Sequence, residues 1–124
     1  MIKLEVVIDI HEVLIKKYGG SSGIRDQAAL ESAISRPYQT FDGVELYKSS
    51  PEKAAAIIES IVKNHPFVDG NKRTGYVLMQ IILLKDGKKI QASEDEKYEF
   101  VIDIAAGQSD YDRIRAWIEE KIKE

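Results

Sequence analysis

Hydrophobic residues recur every three or four positions along most of the chain, which is the spacing of one face of an α-helix. The first such stripe consists of Val7, Ile10, Leu14 and Tyr18. It ends at Gly19-Gly20, two residues that suit the left-handed backbone at a helix end. His11 lies beside the stripe, and a histidine in that position is more often packed than catalytic. The pattern therefore predicts a first helix with His11 against the core.

The middle of the chain carries the strongest helix signals. Asp26 is a candidate N-cap for a helix over QAALESAIS, which Pro37 ends. The irregular stretch YQTFDGVELYKSS predicts a loop or a small hairpin. Ser50 and Pro51 then predict a helix start, with the cap first and the proline at the first helical position. This helix is apolar over more than half of its circumference, so we expect it to be central. Its predicted buried side is Ala54, Ile57, Ile58, Ile61 and Val62.

The second half of the chain predicts three more helices. One begins near Asn71 and ends near Lys85, and the other two start with the cap-plus-acid spacing of a capping box. These two starts are Ser93 with Glu96 and Ser109 with Asp112. Only KKIQA alternates in the manner of a strand. The prediction is an all-α fold, a compact single-domain bundle of about six helices over residues 1–124 with at most a small hairpin or flap.

Composition narrows the class of protein. The 124 residues suit one domain, and 44% of them are hydrophobic, enough for a core. Cysteine is absent, which excludes disulfides, thiolate metal sites and a cysteine nucleophile. The net charge of -3 makes binding to nucleic acid by this chain alone unexpected. The charged N-terminus does not resemble a signal peptide, and the apolar runs are too short to span a membrane. We therefore expect a cytoplasmic protein that does not contact membranes.

One segment, HPFVDGNKR at residues 65–73, carries candidate chemistry between the two most apolar helices. Pro66 prevents the preceding helix from continuing normally, so His65 is expected at its exit. Phe67 is expected to point inward and fix the loop. Asp69 offers a carboxylate, and Gly70 allows a backbone conformation that other residues avoid. The segment thus presents an imidazole and a carboxylate beside the start of a second helix.

Lys72 and Arg73 fall in the first turn of that second helix, where the helix dipole disfavours cations. Their presence indicates a bound anion, and phosphate is the obvious one. Asp69 could then hold Mg²⁺ through one carboxylate, and His65 could take a proton from a hydroxyl nucleophile. Each residue alone would more often be structural. Together they favour the transfer of a phosphate group from a nucleotide.

The segment resembles the signature loop of the Fic/Doc superfamily, which reads His-x-Phe-x-Asp/Glu-Gly-Asn-Gly-Arg in the Fic branch. Lys72 stands where Fic proteins have the second glycine, and this matches the Doc (death-on-curing) branch. Tyr76 stands where Fic proteins usually have a further arginine. The stretches GIRDQAALESAISRP and FDGVELY also resemble Doc-type toxins, so the similarity covers about residues 4 to 90.

The resemblance implies a role for each matching residue. His65 matches the general base and Asp69 the Mg²⁺ ligand, while Phe67 matches the buried anchor. The matching nucleotide-phosphate cradle is Gly70, Asn71, Lys72 and Arg73, and Arg73 is also a predicted catalytic residue. A Doc-type toxin transfers the γ-phosphoryl group of ATP to a translation elongation factor. Its expected partner is an antitoxin whose disordered tail folds into a groove on the toxin.

Two alternatives remain open at this stage. A Fic-like enzyme would transfer AMP to its target protein, and Lys72 and Tyr76 disfavour it. A member that acts only through its antitoxin complex would have no physical need for the intact HPFVDGNKR segment. Arg36 and Tyr47 flank the possible flap, and for them a surface role is favoured over contact with substrate.

Overall fold

The computed structural model describes residues 1–123. Its six α-helices are α1 (Leu4–Tyr18), α2 (Gln27–Ser35), α3 (Ser50–Asn64), α4 (Asn71–Lys85), α5 (Glu94–Ala105) and α6 (Tyr111–Lys121). Four two-residue strands form two antiparallel pairs: a hairpin of β1 (Thr40–Phe41) with β2 (Val44–Glu45), and a long-range pair of β3 (Lys89–Ile90) with β4 (Ile122–Lys123). The all-α prediction is confirmed, and so is the small hairpin before α3. Within the described residues, none of the helices has both the length and the apolar character needed to cross a bilayer.

Helix α3 lies at the centre of the bundle. It packs most extensively on α4 and also contacts α2, α5 and α6, so nearly its whole circumference is covered. The five residues predicted for its buried side are all fully buried: Ala54, Ile57, Ile58, Ile61 and Val62. Burial of each isoleucine side chain stabilises the fold by about 2 kcal/mol. Helix α3 is therefore the rigid element from which the signature loop emerges.

Helices α3 and α4 approach each other closely at Gly75. A Cβ atom at this position would lie 3.0 Å from Cγ2 of Val62 and 3.4 Å from Cβ of Ile61. The absence of a side chain lets α4 settle directly against α3. The two helices that flank the signature loop are thereby held as one packed unit.

Two predicted helix starts are displaced by one residue. Ser49, rather than Ser50, caps α3, because only Ser49 has an acid three positions on to complete a reciprocal capping box with Glu52. Asp110, rather than Ser109, caps α6 and accepts a hydrogen bond from the Arg113 N–H. The carboxylate of Asp110 lies at the position where the chain enters the helix, whereas Ser109 is buried. The predicted caps Asp26 and Ser93 are confirmed.

The interpretation of Arg36 and Tyr47 as surface residues is wrong. The Arg36 guanidinium donates to the Tyr47 hydroxyl and to Oε1 of Glu59, each at 2.9 Å, and to Oγ of Ser60 at 3.0 Å. These partners lie on α3 and at the end of the β1–β2 segment, so the group joins the flap to the central helix. Sequence spacing does not reveal a cluster whose members are 11 to 24 residues apart.

We expect Gly75→Val to destabilise the fold by about 1–3 kcal/mol, because its side chain would overlap Val62 and force α4 away from α3. The measurement is chemical denaturation monitored by circular dichroism. Leu84→Val is the matched control, since it places the same β-branched residue on the half-exposed face of the same helix. Equal stability of the two variants would contradict the close α3–α4 contact.

Candidate active site

The loop between α3 and α4 reverses the chain with a left-handed residue at each end. His65 closes α3 with φ 50° and ψ 58°, and its N–H donates to the Ile61 carbonyl at 3.3 Å. Pro66 follows at once and prevents further helix. Gly70 opens α4 with φ 76° and ψ 18°. The predicted exit position of His65 and the predicted special backbone of Gly70 are both confirmed, and the imidazole is exposed.

Phe67 fixes this loop from the inside. Its side chain is 1% exposed and stacks on the His11 ring at 3.8 Å between centroids. The Asn71 side chain bonds both backbone groups of Phe67, accepting from the N–H at 3.0 Å and donating to the carbonyl at 3.0 Å. The Asn71 amide is thereby committed to the loop. The groups left for a contribution of this residue to phosphate binding are its backbone N–H and the second hydrogen of its amide nitrogen.

His11 is buried, as predicted, and also supports the loop. Its Nε2 atom lies 2.8 Å from the backbone oxygen of Asp69, which makes a hydrogen bond when Nε2 carries the proton. Because the same ring stacks on Phe67, one side chain of α1 restrains both ends of the segment from Phe67 to Asp69. His11 therefore both packs in the core and supports the loop that carries the site.

Arg25 holds the exit of α3 and was not found by the sequence analysis. It donates from Nε to the His65 carbonyl at 2.6 Å and from Nη2 to the Asn64 carbonyl at 2.7 Å. The N–H groups of Arg25 and Asp26 both donate to the Pro66 carbonyl. Cations are favourable at helix carboxyl ends. Here the cation comes from a loop some 40 residues earlier, so local spacing gives no sign of it.

The Asp69 carboxylate is exposed and oriented by two backbone groups. Oδ2 accepts from the Ser21 N–H at 3.2 Å and Oδ1 accepts from the Gly70 N–H at 2.8 Å. These hydrogen bonds, the Ser21 bond foremost, hold the pKa of Asp69 below its usual value, and the positive charge of Lys72 adds to them. An ionised oxygen ligand of this kind suits Mg²⁺, which is commonly held by one carboxylate together with substrate phosphates.

A larger all-protein metal site is not formed in the described part of the chain, where no three His, Asp or Glu side chains cluster suitably. Asp69 is the candidate Mg²⁺ ligand because its exposed, ionised carboxylate borders the cleft together with Lys72 and Arg73, and the remaining ligands would come from water and substrate. This arrangement fits a metal that arrives with a phosphate-bearing molecule.

The carboxyl end of α1 forms the second wall of the site. A Cβ atom on Gly20 would lie 2.9 Å from Oδ2 of Asp69, so a side chain there would displace the carboxylate. The Arg73 guanidinium lies over the Tyr18 ring, 3.9 Å from its centroid. In the sequence, Tyr18 and Gly20 mark only the end of a helix. Tyr18 and Gly20 contact the loop only in the folded protein, and the Gly19-Gly20 pair in the sequence does not predict this contact.

Two clefts meet at the signature loop. A cleft of about 620 Å³ has Asp69, Gly70, Lys72 and Arg73 at its polar end. Its apolar walls come from α1, α4 and α5 and include Leu14, Val77, Val101 and Ile102. A second cleft, of about 880 Å³, contains His65. Other residues that line the second cleft include Arg25, Lys63, Asn64 and Val68. Asn71 contributes to both clefts, so the candidate base and the candidate anion site flank one loop.

The sequence model of the Fic/DOC family matches residues 1–83, about two thirds of the chain. The chain belongs to the Fic/DOC family. It is 35% identical over 101 residues to the protein named Toxin Doc of Mycolicibacterium smegmatis, covering 80% of this chain and 78% of that protein. It is 28% identical over 104 residues to the Protein kinase doc of Escherichia phage P1, covering 84% of this chain and 81% of that protein.

Both relatives place this Fic/DOC protein in the Doc branch, as Lys72 predicted. The structure brings Asp69, Gly70, Asn71, Lys72 and Arg73 to one end of a cleft and His65 to the other side of the loop. The roles of these residues in catalysis, metal binding and nucleotide binding remain predictions.

The lowered pKa of Asp69 makes the stability of the fold depend on pH, and the direction of the dependence follows from the direction of the shift. Because the pKa is lowered in the folded state, the carboxylate contributes its stabilisation fully above the unfolded value of about 3.9. The contribution is lost as pH falls through the folded value. A carbon-detected NMR titration should place the Asp69 midpoint below that of an aspartate in an unstructured peptide. A midpoint at or above the peptide value would show that the Ser21 and Gly70 hydrogen bonds do not persist in solution.

Gly20→Ala should raise the pKa of Asp69 toward its usual value, because the added methyl displaces the carboxylate from the Ser21 N–H. Gly19→Ala is the matched control: Gly19 also has a positive φ, but its added methyl would meet nothing within 4 Å. Both variants should lose roughly 1–3 kcal/mol of stability through backbone strain. Only Gly20→Ala should shift the Asp69 titration; a shift in both or in neither would contradict the contact.

Proposed function

We propose that this protein is the toxin of a toxin–antitoxin system and transfers the γ-phosphoryl group of ATP to a hydroxyl side chain of a translation factor. One observation carries the proposal: an exposed carboxylate and two cations meet the start of α4 at one end of a cleft. A histidine on the other side of the same loop completes the set. The names of the two Doc relatives, a toxin and a protein kinase, support it.

ATP would occupy the cleft between α1, α4 and α5. The N–H groups in the first turn of a helix lack carbonyl partners within the helix and attract anions. Lys72 and Arg73 add two positive charges at this point. The apolar walls beyond them offer a surface for the nucleoside, and the volume of about 620 Å³ lies in the usual range for small-molecule sites. The phosphates would therefore lie near Asp69.

Mg²⁺ would be held by Asp69 together with phosphate oxygens of the nucleotide. When bound, it would neutralise charge on those oxygens, which lowers the barrier to phosphoryl transfer. The Ser21 and Gly70 N–H groups favour the ionised carboxylate and fix its orientation beside the cleft. The protein contributes a fixed, hard oxygen ligand beside its phosphate-binding cations.

The target would approach His65 from the second cleft. The imidazole accepts the proton of the target hydroxyl, whose oxygen forms a bond to the γ-phosphorus. The bond from that phosphorus to the bridging oxygen breaks, and ADP leaves. Lys72 and Arg73 stabilise the negative charge of the transferring group. The Arg25 guanidinium bonds the His65 carbonyl, and the N–H groups of Arg25 and Asp26 bond the Pro66 carbonyl, so the backbone that carries the base is held in place.

Lys72 and Tyr76 favour phosphoryl transfer over AMP transfer. A lysine side chain at position 72 fills space that a glycine would leave open for a phosphate against the backbone. Tyr76 lines the same cleft and offers no positive charge. Both substitutions change how a triphosphate can lie. An antitoxin whose disordered tail folds into a groove is the proposed partner, and contact with nucleic acid is not part of the proposal.

The test is to incubate the protein with Mg²⁺-ATP and a bacterial elongation factor, and to weigh the intact factor by mass spectrometry. The expected result is a phosphoryl increment that is lost in His65→Asn and in Asp69→Asn. Asparagine adopts the left-handed backbone of position 65 readily but cannot act as the base. Loss of transfer in a variant with an unchanged thermal midpoint then reports chemistry rather than unfolding.

An adenylyl increment would overturn the assignment of phosphoryl transfer and retain the site. Transfer that survives in His65→Asn would remove His65 from the role of base. If the elongation factor stayed unmodified, then it would not be the target. If a bacterial lysate also showed no modified protein, the enzymatic proposal itself would fail and the binding-only alternative would stand.

A further inference from the structure

Tyr18 makes an unusually direct contact with the phosphate-binding end of the cleft. The Arg73 guanidinium carbon lies 3.9 Å from the centroid of its ring, well within the range of a cation–π interaction. Tyr18 is 52% exposed and therefore contributes little to the core. Both residues line the 620 Å³ cleft. The contact joins the last residue of α1 to the third residue of α4.

Arg73 needs such a support for an electrostatic reason. It lies in the first turn of α4, where the helix dipole and Lys72 both repel its charge. Among residues 1–123, no carboxylate pairs with Arg73. An arginine side chain without a partner loses much rotational freedom when it binds a ligand. The electron-rich face of Tyr18 attracts the cation without neutralising it.

We propose that Tyr18 is a positioning residue that holds the Arg73 guanidinium in place for the phosphates of the nucleotide. The inference rests on the proposed function, because it takes Arg73 as a phosphate ligand. The ring restricts Arg73 before the nucleotide arrives, so less conformational entropy is lost on binding. A carboxylate could also restrict it, but would compete with the phosphates for the charge. An aromatic face avoids that competition.

Lys17 provides an internal comparison. Its Nζ atom lies 5.3 Å from the centroid of the same ring, farther than the Arg73 guanidinium, and Lys17 is exposed on α1. It does not line the cleft. If the ring mattered only as a general attractor of positive charge, then removal of Lys17 would have a similar effect. Under the proposal, only the ring and Arg73 matter.

The experiment measures the Kd for Mg²⁺-ATP by calorimetry in four single variants and one double variant. Tyr18→Leu should raise the Kd about two- to fivefold, the range of an exposed cation–π contact. Tyr18→Phe keeps the ring and should restore near wild-type affinity, and Lys17→Ala should change nothing. In an Arg73→Ala background, Tyr18→Leu should have no further effect, because the partner of the ring is gone. Thermal midpoints should remain close to that of the wild type.

Each outcome decides the inference. Weakening by Tyr18→Leu of equal size in the Arg73→Ala background would show that the ring touches the nucleotide directly, and this overturns the positioning role. Equal affinity of Tyr18→Leu and wild type for Mg²⁺-ATP would also overturn the positioning role. NMR relaxation of the Arg73 Nε–Hε group in the ligand-free protein gives a readout that does not need ATP. Tyr18→Leu should increase its mobility and Tyr18→Phe should not.

The relaxation arm also separates this inference from the proposed function. If the wild type bound no ATP while Tyr18→Leu still freed Arg73, then the proposed function would fail and the positioning contact would stand for another anion. If ATP bound normally and Arg73 were equally mobile in both proteins, then the positioning role would fail and the proposed function would be unaffected.

Discussion

The site depends on one constraint: the chain must reverse between two tightly packed helices within residues 65–70. Helices α3 and α4 meet at Gly75, where even a Cβ atom would crowd Val62, so the close packing of the two helices sets the distance that the loop has to span. The turn is then made by left-handed residues at both ends, His65 and Gly70. Phe67 is buried between them and bound by Asn71. Because Phe67 belongs to the core, the loop cannot shift without moving the core, and this holds the backbone that carries the exposed groups.

The proposed chemistry rests on the groups that this turn exposes. One side presents His65 to a cleft, and the other presents Asp69, Lys72 and Arg73 to a second cleft. The cations oppose the dipole of the helix on which they lie, which costs stability unless an anion binds. The carboxyl end of α1 completes the arrangement, since the Ser21 N–H orients Asp69 and Tyr18 lies under Arg73. A site whose charges are unbalanced in the free protein is suited to a multiply charged phosphate substrate.

Sequence reasoning predicted what is local and missed what is distant. The six helices, the buried face of α3, the inward Phe67 and the exit of His65 follow from periodicity, proline and glycine within a few residues. Ser49 and Asp110 were missed by one residue because neighbouring polar residues compete for each cap. The acid Glu52, three positions after Ser49, was a local signal for the first cap, whereas the burial of Ser109 beside Asp110 is a tertiary feature. The contact of Arg25 with His65 joins segments some 40 residues apart. No spacing rule specifies such a contact, so it required the structure.

The central claim is that the polar end of the α1–α4–α5 cleft directs the γ-phosphoryl group of ATP to a protein hydroxyl. Parallel incubations of a bacterial lysate with ATP labelled at the γ-phosphate or at the α-phosphate test it most directly, with His65→Asn as the control. The account predicts a protein labelled from the γ-position alone, and no label with the variant. Label from the α-position would show transfer of AMP and contradict it, as would γ-label that persists with His65→Asn.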